Sequence, residues 1–325
     1  MGLKILFYGA SVTAQSGESG YFQHLIEMLD SVELVRLPYS ASHLQFAGIA
    51  MLQKVIDESP QICFLDWVTP STPSFPDNTV RRVNKVLLSH GIFPVWLLFP
   101  RTDDLDSSRN CCLQVFEEVE GDAQVEKIVD YFPDLKNNIA NYLRDVVHTN
   151  ERGAKLYANW IKDVFQRVSH KFSLRQLTQL DNKEGQFIPK IVSQKGTISH
   201  QKDLMLKFTA NSSGKLKFFV YCVIGPNSPM LRLKLNESGY SEGAEASKIV
   251  VDQWCYYERE MLVNMPEFDI QAGKEYSLSI EAAGNPFQNI ATLKPLPNNI
   301  IEDQARYLKF TEIIFDADIS LCEMF

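Results

Sequence analysis

Two places in this sequence carry residue types capable of nucleophilic chemistry. The first is Ser11, which follows the apolar run Leu3-Lys4-Ile5-Leu6-Phe7-Tyr8 and the turn Gly9-Ala10. A short apolar run that breaks at a glycine and leads into a helix delivers the next side chain to the carboxyl edge of a sheet. A hydroxyl there is either a nucleophile or a helix cap, because tight strand-to-helix turns favour small polar residues. The second place is Asp145-Val146-Val147-His148. A carboxylate three residues before an imidazole can accept a hydrogen bond from its Nδ1–H, fix the tautomer, and leave Nε2 free to deprotonate a serine hydroxyl. Alone, the pair also fits a surface histidine with an incidental aspartate. What favours chemistry is that Ser11 and the Asp-x-x-His segment lie at the two ends of one α/β-patterned region.

That region is built to hold them. Runs 3–8, 32–37, 61–67 and 92–99 read as buried strands, rich in Val, Ile, Leu and Phe and flanked by turn residues. Helical stretches separate them: Tyr21 to Leu29, Leu44 to Ile56, and Val80 to Ser89 with an apolar face at Val80, Val83, Val86 and Leu87. A helix including Leu113 to Glu118 precedes a weaker fifth strand, Val125 to Tyr131. Strand-helix alternation implies parallel pairing through right-handed crossovers, hence a three-layer doubly wound α/β sheet. The last helix carries the stripe Leu156, Tyr157, Trp160, Ile161, Val164 and Phe165, with Asn150 as its N-cap and Glu151 favourable in the first turn. After Phe172 the texture changes. Strand-like segments Lys215–Cys222, Leu231–Leu235, Tyr276–Glu281 and Leu308–Phe315 alternate with turns such as Asn211-Ser212-Ser213-Gly214, Gly225-Pro226-Asn227, Glu237-Ser238-Gly239 and Gly284-Asn285-Pro286. The expected organisation is an α/β domain over residues 1–172 and an all-β, sandwich-like domain over 173–325.

Other features narrow the function. With 32 basic against 40 acidic side chains, net charge −8 and no basic cluster, nucleic acid and anionic membranes are not expected partners. No apolar run is long enough to span a bilayer and no secretory signal is evident, so a cytoplasmic location is expected. The six cysteines form no CxxC pair and no metal-ligand spacing, and all are expected to be reduced. Asp103-Asp104 with Asp106 reads as a solvated turn rather than a metal site, and His24 and His43 as helix-face residues. Arg101, just after the fourth strand, is a candidate contact for an anionic substrate. Trp254, Tyr256 and Tyr257 share one strand-like run, as sandwich-core aromatics or as a sugar-stacking platform. No Gly-x-Ser-x-Gly elbow is present.

On these residues the sequence resembles the SGNH (GDSL-like) hydrolase superfamily over residues 1 to about 168. Gly9, Ser11 and Thr13 match its first motif, with Ala10 in place of the usual Asp. Asp145 and His148, within Asp145-Val-Val-His-Thr-Asn-Glu-Arg-Gly153, match its last. The resemblance implies Ser11 as nucleophile, His148 as base and acid, and Asp145 as its orienter. It also implies an oxyanion hole from a Gly after strand two and an Asn after strand three. Here those places hold Tyr39-Ser40-Ala41-Ser42 and Asp66-Trp67-Val68-Thr69-Pro70-Ser71. Main-chain N–H groups of Ser11 and of Ser40 or Ala41, with a hydroxyl of Thr69 or Ser71, are therefore the expected donors. The implied activity is an O-acetyl esterase or O-acetyltransferase acting on a saccharide or glycan ester. It needs no cofactor beyond an acyl donor such as acetyl-CoA if it is a transferase. The alternative is a non-catalytic glycan-binding or assembly protein whose oxyanion hole has decayed.

Overall fold

The run that ends at Gly9 is strand β1 (Lys4–Gly9), paired with β2 (Glu33–Pro38) on one side and β3 (Ile62–Asp66) on the other. The computed structural model describes residues 3–69, 74–119, 123–174, 187–237, 246–250, 257–283 and 306–325. They divide into two units, Met1–Ile188 and Pro189–Phe325.

In the first unit the helices are α1 (Ser11–Ala14), α2 (Tyr21–Met28), α3 (Leu52–Glu58), α4 (Thr79–Ser89), α5 (Asn110–Glu118), the short turns α6 (Ile128–Tyr131) and α7 (Leu135–Asn138), and α8 (Glu151–Leu174). Strands β4 (Phe93–Leu98) and β5 (Gln124–Lys127) complete a five-stranded parallel sheet of order β2-β1-β3-β4-β5. Every residue of β3 and β4 is buried, which is why both read as unbroken apolar runs. On one face Ile5, Phe7, Phe64, Val95 and Leu97 pack with α2 and with Tyr157, Trp160, Ile161 and Val164 of α8. Tyr8 faces the other side, where its hydroxyl donates to the Ala47 carbonyl at 2.6 Å.

Three expectations change in detail. The stretch Leu44 to Ile56 opens with a π-helical turn, Leu44–Gly48, in which the Gly48 N–H reaches back five residues to the His43 carbonyl at 3.3 Å. The fifth strand stops at Lys127, and Ile128 and Val129 turn into the core from a helical turn instead. Short apolar runs do not distinguish the two conformations. The final helix continues to Leu174, so a boundary at residue 172 falls inside it.

The second unit is antiparallel. Its strands are β6 (Lys190–Ser199), β7 (Leu204–Ala210), β8 (Gly214–Leu216), β9 (Phe218–Ile224), β10 (Leu231–Glu237), β11 (Ala246–Val250), β12 (Arg259–Asn264), β13 (Phe268–Ile270), β14 (Glu275–Ala282), β15 (Tyr307–Phe315) and β16 (Ile319–Met324). They form sheets ordered β11-β10-β14-β7-β16 and β12-β9-β15-β6, with β13-β8 as a small third. One apolar core joins the two large sheets, through Leu206, Phe208, Leu233 and Leu278 of one and Val220, Cys222, Phe310 and Ile313 of the other, so the unit is a sandwich. Trp254 and Tyr256 lie outside the described residues, as do Ser238-Gly239 and Gly284-Asn285-Pro286. Tyr257 is 61% exposed and is no core residue. Cys63, Cys111, Cys112, Cys222 and Cys322 are free thiols, and Cys255 lies outside the described residues. Among the described residues no helix is long and apolar enough to cross a membrane.

Candidate active site

Strand order reverses at β1, the place where open α/β sheets leave a crevice at their carboxyl edge. β1 ends in Gly9 because no side chain fits there. A Cβ would meet the Thr13 hydroxyl and, at 2.8 Å each, the Cβ and main-chain oxygen of Asp66. The chain then turns through Ala10, whose N–H donates to the Asp66 carbonyl at 3.0 Å, and Ser11 opens α1, half-buried. In a first turn the leading N–H groups have no intrahelical acceptor, so that of Ser11 is available to a ligand. The α1 turn is held from β2 as well. Arg36 lies 5.1 Å over the Phe22 ring, and its Nη1 donates to the Gln15 carbonyl at 2.9 Å and the Thr13 carbonyl at 3.4 Å.

The Asp-x-x-His segment is a loop shaped by its own carboxylate. Asp145 Oδ1 accepts the N–H groups of Val147 at 3.0 Å and His148 at 2.8 Å. The His148 Nδ1 lies 3.0 Å from Oδ1 and 2.9 Å from Oδ2. Burial pushes the Asp145 carboxyl up, but the two N–H groups and the imidazole outweigh it and hold it below the usual carboxylate range. An Nδ1–H donated to Asp145 leaves Nε2 as the ring nitrogen able to accept a proton, as a general base requires. Past His148 the chain enters α8 through Asn150, whose Oδ1 caps the Gly153 N–H at 3.0 Å. Gly153 is needed because a Cβ would run into the main chain of Tyr142, whose carbonyl carbon would be 2.9 Å away.

Gln15 ties this loop to the Ser11 turn. Its Oε1 accepts the Thr149 N–H at 3.1 Å and hydroxyl at 3.2 Å, and its Nε2 donates to the Thr149 carbonyl at 3.1 Å. A second tie runs from the Thr102 N–H to the Val146 carbonyl at 3.0 Å, joining the loop after β4. Ser11, Asp145 and His148 are thereby brought to one edge of the sheet.

Among the expected oxyanion donors, Ser40 and Ala41 follow directly on Tyr39, whose N–H extends the ladder onto the Gly9 carbonyl at 2.8 Å. Both are exposed, and Ala41 has a left-handed φ of 54°. The Thr69 hydroxyl is committed elsewhere, donating to Asp66 Oδ1. Ser71 lies outside the described residues. Arg101 is not open to a substrate anion as expected. It is 7% exposed, its Nε and Nη2 grip both oxygens of Asp103 at 2.6 and 2.8 Å, and its Nη1 holds the Thr69 carbonyl at 3.0 Å. The neighbouring Asp104 collects the Ser108 N–H and hydroxyl and the Arg109 guanidinium. Among the described residues no group of His, Cys, Asp and Glu could hold a metal ion. His24 bonds the Glu18 carbonyl at 2.9 Å, and partial burial lowers the His43 pKa.

Sequence reasoning overlooked Gln15 and Asp66. Asp66 is 1% exposed at the end of β3 and accepts the Thr13 N–H at 3.1 Å, the Thr13 hydroxyl at 2.9 Å and the Thr69 hydroxyl. Burial pushes its carboxyl up to about 6, against the pull of those bonds and of the nearby His148 imidazole. The signal was a carboxylate closing the wholly buried run Ile62-Cys63-Phe64-Leu65, where an unpaired charge is costly.

The first unit is thus a doubly wound parallel α/β sheet with the Ser11 hydroxyl after its first strand and the Asp145–His148 loop ahead of its last helix. The whole chain is similar in fold to a two-domain esterase active on acetylated mannans, with TM-score 0.55 and 10% identity over 96% of this chain and 90% of that one. Over 50% of this chain it matches 99% of an acetyl xylan esterase, at 20% identity and TM-score 0.42. Over 50% of this chain it also matches 98% of a putative lipolytic protein of the G-D-S-L family from Desulfitobacterium hafniense, at 16% identity and TM-score 0.40. No protein-family model matches the sequence, and no curated protein matches it.

Proposed function

We propose that the chain is a serine-dependent acyl hydrolase or acyltransferase that acts on O-acetyl groups of a saccharide or glycan precursor. The observation that carries this is the Asp145–His148 pair, at 2.9 Å, on a loop that Gln15 fastens to the turn bearing Ser11. His148 Nε2 takes the proton as Ser11 Oγ attacks the ester carbonyl. It returns that proton to the departing sugar oxygen, leaving an acetyl-serine. The Ser11 N–H and an N–H of Ser40 or Ala41 receive the oxyanion. Water, or a sugar hydroxyl in a transferase, then attacks the acetyl-serine with His148 again as base. A transferase would load Ser11 from a donor such as acetyl-CoA. The acetyl-saccharide assignment is supported by the two-domain esterase that shares this fold along both units, whose own described substrates are acetylated mannans.

A second reading, a binding protein with a decayed site, is favoured by the commitment of the Thr69 hydroxyl to Asp66, which removes one expected oxyanion donor. Release of acetate from acetylated oligosaccharides separates the two. The enzyme releases acetate and Ser11→Ala does not. Retained binding with no release from the natural sequence would establish the second reading.

A further inference from the structure

We propose that Asp66 is the positioning residue of the nucleophile turn: it grips the chain on both sides of Ser11 and fixes where the hydroxyl stands. This rests on the reading of Ser11 as the nucleophile. Before Ser11, the main-chain oxygen of Asp66 takes the Ala10 N–H at 3.0 Å. After Ser11, its Oδ2 takes both the N–H and the hydroxyl of Thr13, at 3.1 and 2.9 Å. One residue of β3 thus fastens the four-residue span Ala10–Thr13, which contains Ser11, at either end, and the absent side chain of Gly9 makes that approach possible. Oδ1 holds the Thr69 hydroxyl, so the loop after β3 is set by the same carboxylate, and Arg101 braces that loop through the Thr69 carbonyl.

The surroundings fit a rigid clamp. The Thr13 hydroxyl also meets the Tyr21 hydroxyl at 2.9 Å, which leads the network into α2. The titratable groups whose fields reach Asp66 are Tyr21 of α2, Tyr157 of α8 and His148, and burial raises both phenols, which stay neutral. The hydrogen bonds of Asp66 go to Ala10, Thr13 and Thr69 and none to Ser11, Asp145 or His148, so it acts on the nucleophile by holding the turn. A misplacement of about 1 Å at a reacting group can cost about 10²-fold in rate.

The variants Asp66→Ala and Asp66→Asn, compared with Ser11→Ala on 4-nitrophenyl acetate, test this. An amide oxygen in place of Oδ2 keeps the Thr13 bonds, and the Thr69 hydroxyl can turn to accept from the amide nitrogen. Asn is therefore expected within about tenfold of the natural kcat, while Ala loses about a hundredfold in kcat with KM little changed. A folded Asp66→Ala within threefold of the natural kcat overturns the proposal, as does an Asn variant as impaired as Ala. If Asp66→Ala does not fold, Thr13→Val removes one of the grips on α1 and should lower kcat about tenfold; an unchanged kcat overturns the proposal equally. Full activity in Ser11→Ala would instead refute the nucleophile assignment, a separate outcome.

Discussion

The carboxamide of Gln15 and the main chain of Thr149 clasp one another across 134 residues, Oε1 on the Thr149 N–H and Nε2 on its carbonyl, each at 3.1 Å. Both residues are buried. The clasp is the direct mechanical link between the Ser11 turn and the loop that carries His148.

Removing it should therefore hurt catalysis and stability together. Gln15→Ala strands the Thr149 N–H and carbonyl, and a buried unsatisfied group costs about 1–3 kcal/mol. Thermal unfolding should show that loss, and kcat on a small ester should fall about tenfold or more through misalignment. A variant with natural kcat would show that His148 is placed by other ties.

Asp145→Asn tests orientation rather than charge. Asn Oδ1 can keep the Val147 and His148 N–H bonds, which puts its NH2 where Oδ2 now meets Nδ1. That donor forces the proton onto Nε2, the unproductive tautomer. In the serine-protease template the corresponding swap costs about 10⁴-fold. Asp145 is half-exposed here, so a loss of at least about a hundredfold in kcat with KM little changed is expected. Steady-state constants on one ester decide it, and a mutant within threefold of natural activity would make Asp145 a bystander.

Asp66 gives stability an unusual pH dependence. Its carboxyl is raised from 3.8 to about 6 in the folded protein, so between those values the unfolded chain has released a proton that the folded chain keeps. Folding stability contributed by this group is greatest below about pH 4 and is lost as pH rises through about 6, by about 3 kcal/mol. Asp66→Asn removes that slope. The difference in Tm, variant minus natural, should grow between pH 4 and pH 7; a constant difference would place the Asp66 pKa in the ordinary range.

Each unit has its own core, so a chain ending at Ile188 should unfold cooperatively and keep its activity on a small ester. Loss of the cooperative transition by calorimetry would show that the first core needs the second unit.

How much of this was legible follows from sequence distance. Strands β1 to β4 and the α8 stripe were readable because their buried residues are contiguous or evenly spaced. Asp145 and His148 were readable because three positions separate them. Gln15 and Asp66 were not, because their partners lie 134 and 53 residues away and only the fold brings them near. Arg101 read as a substrate contact because its exposure depends on Asp103 and on the Thr69 carbonyl, which its position after a strand does not reveal.

The central claim is that Ser11 is a nucleophile activated by His148, and covalent capture tests it most directly. A fluorophosphonate forms a bond from Ser Oγ to phosphorus with loss of fluoride, and the modified peptide is located by mass spectrometry. The expected result is one adduct, on Ser11, absent in Ser11→Ala and slowed about a hundredfold or more in His148→Ala. Ester hydrolysis by the natural protein with no adduct on Ser11, or with the adduct on another residue, would contradict it.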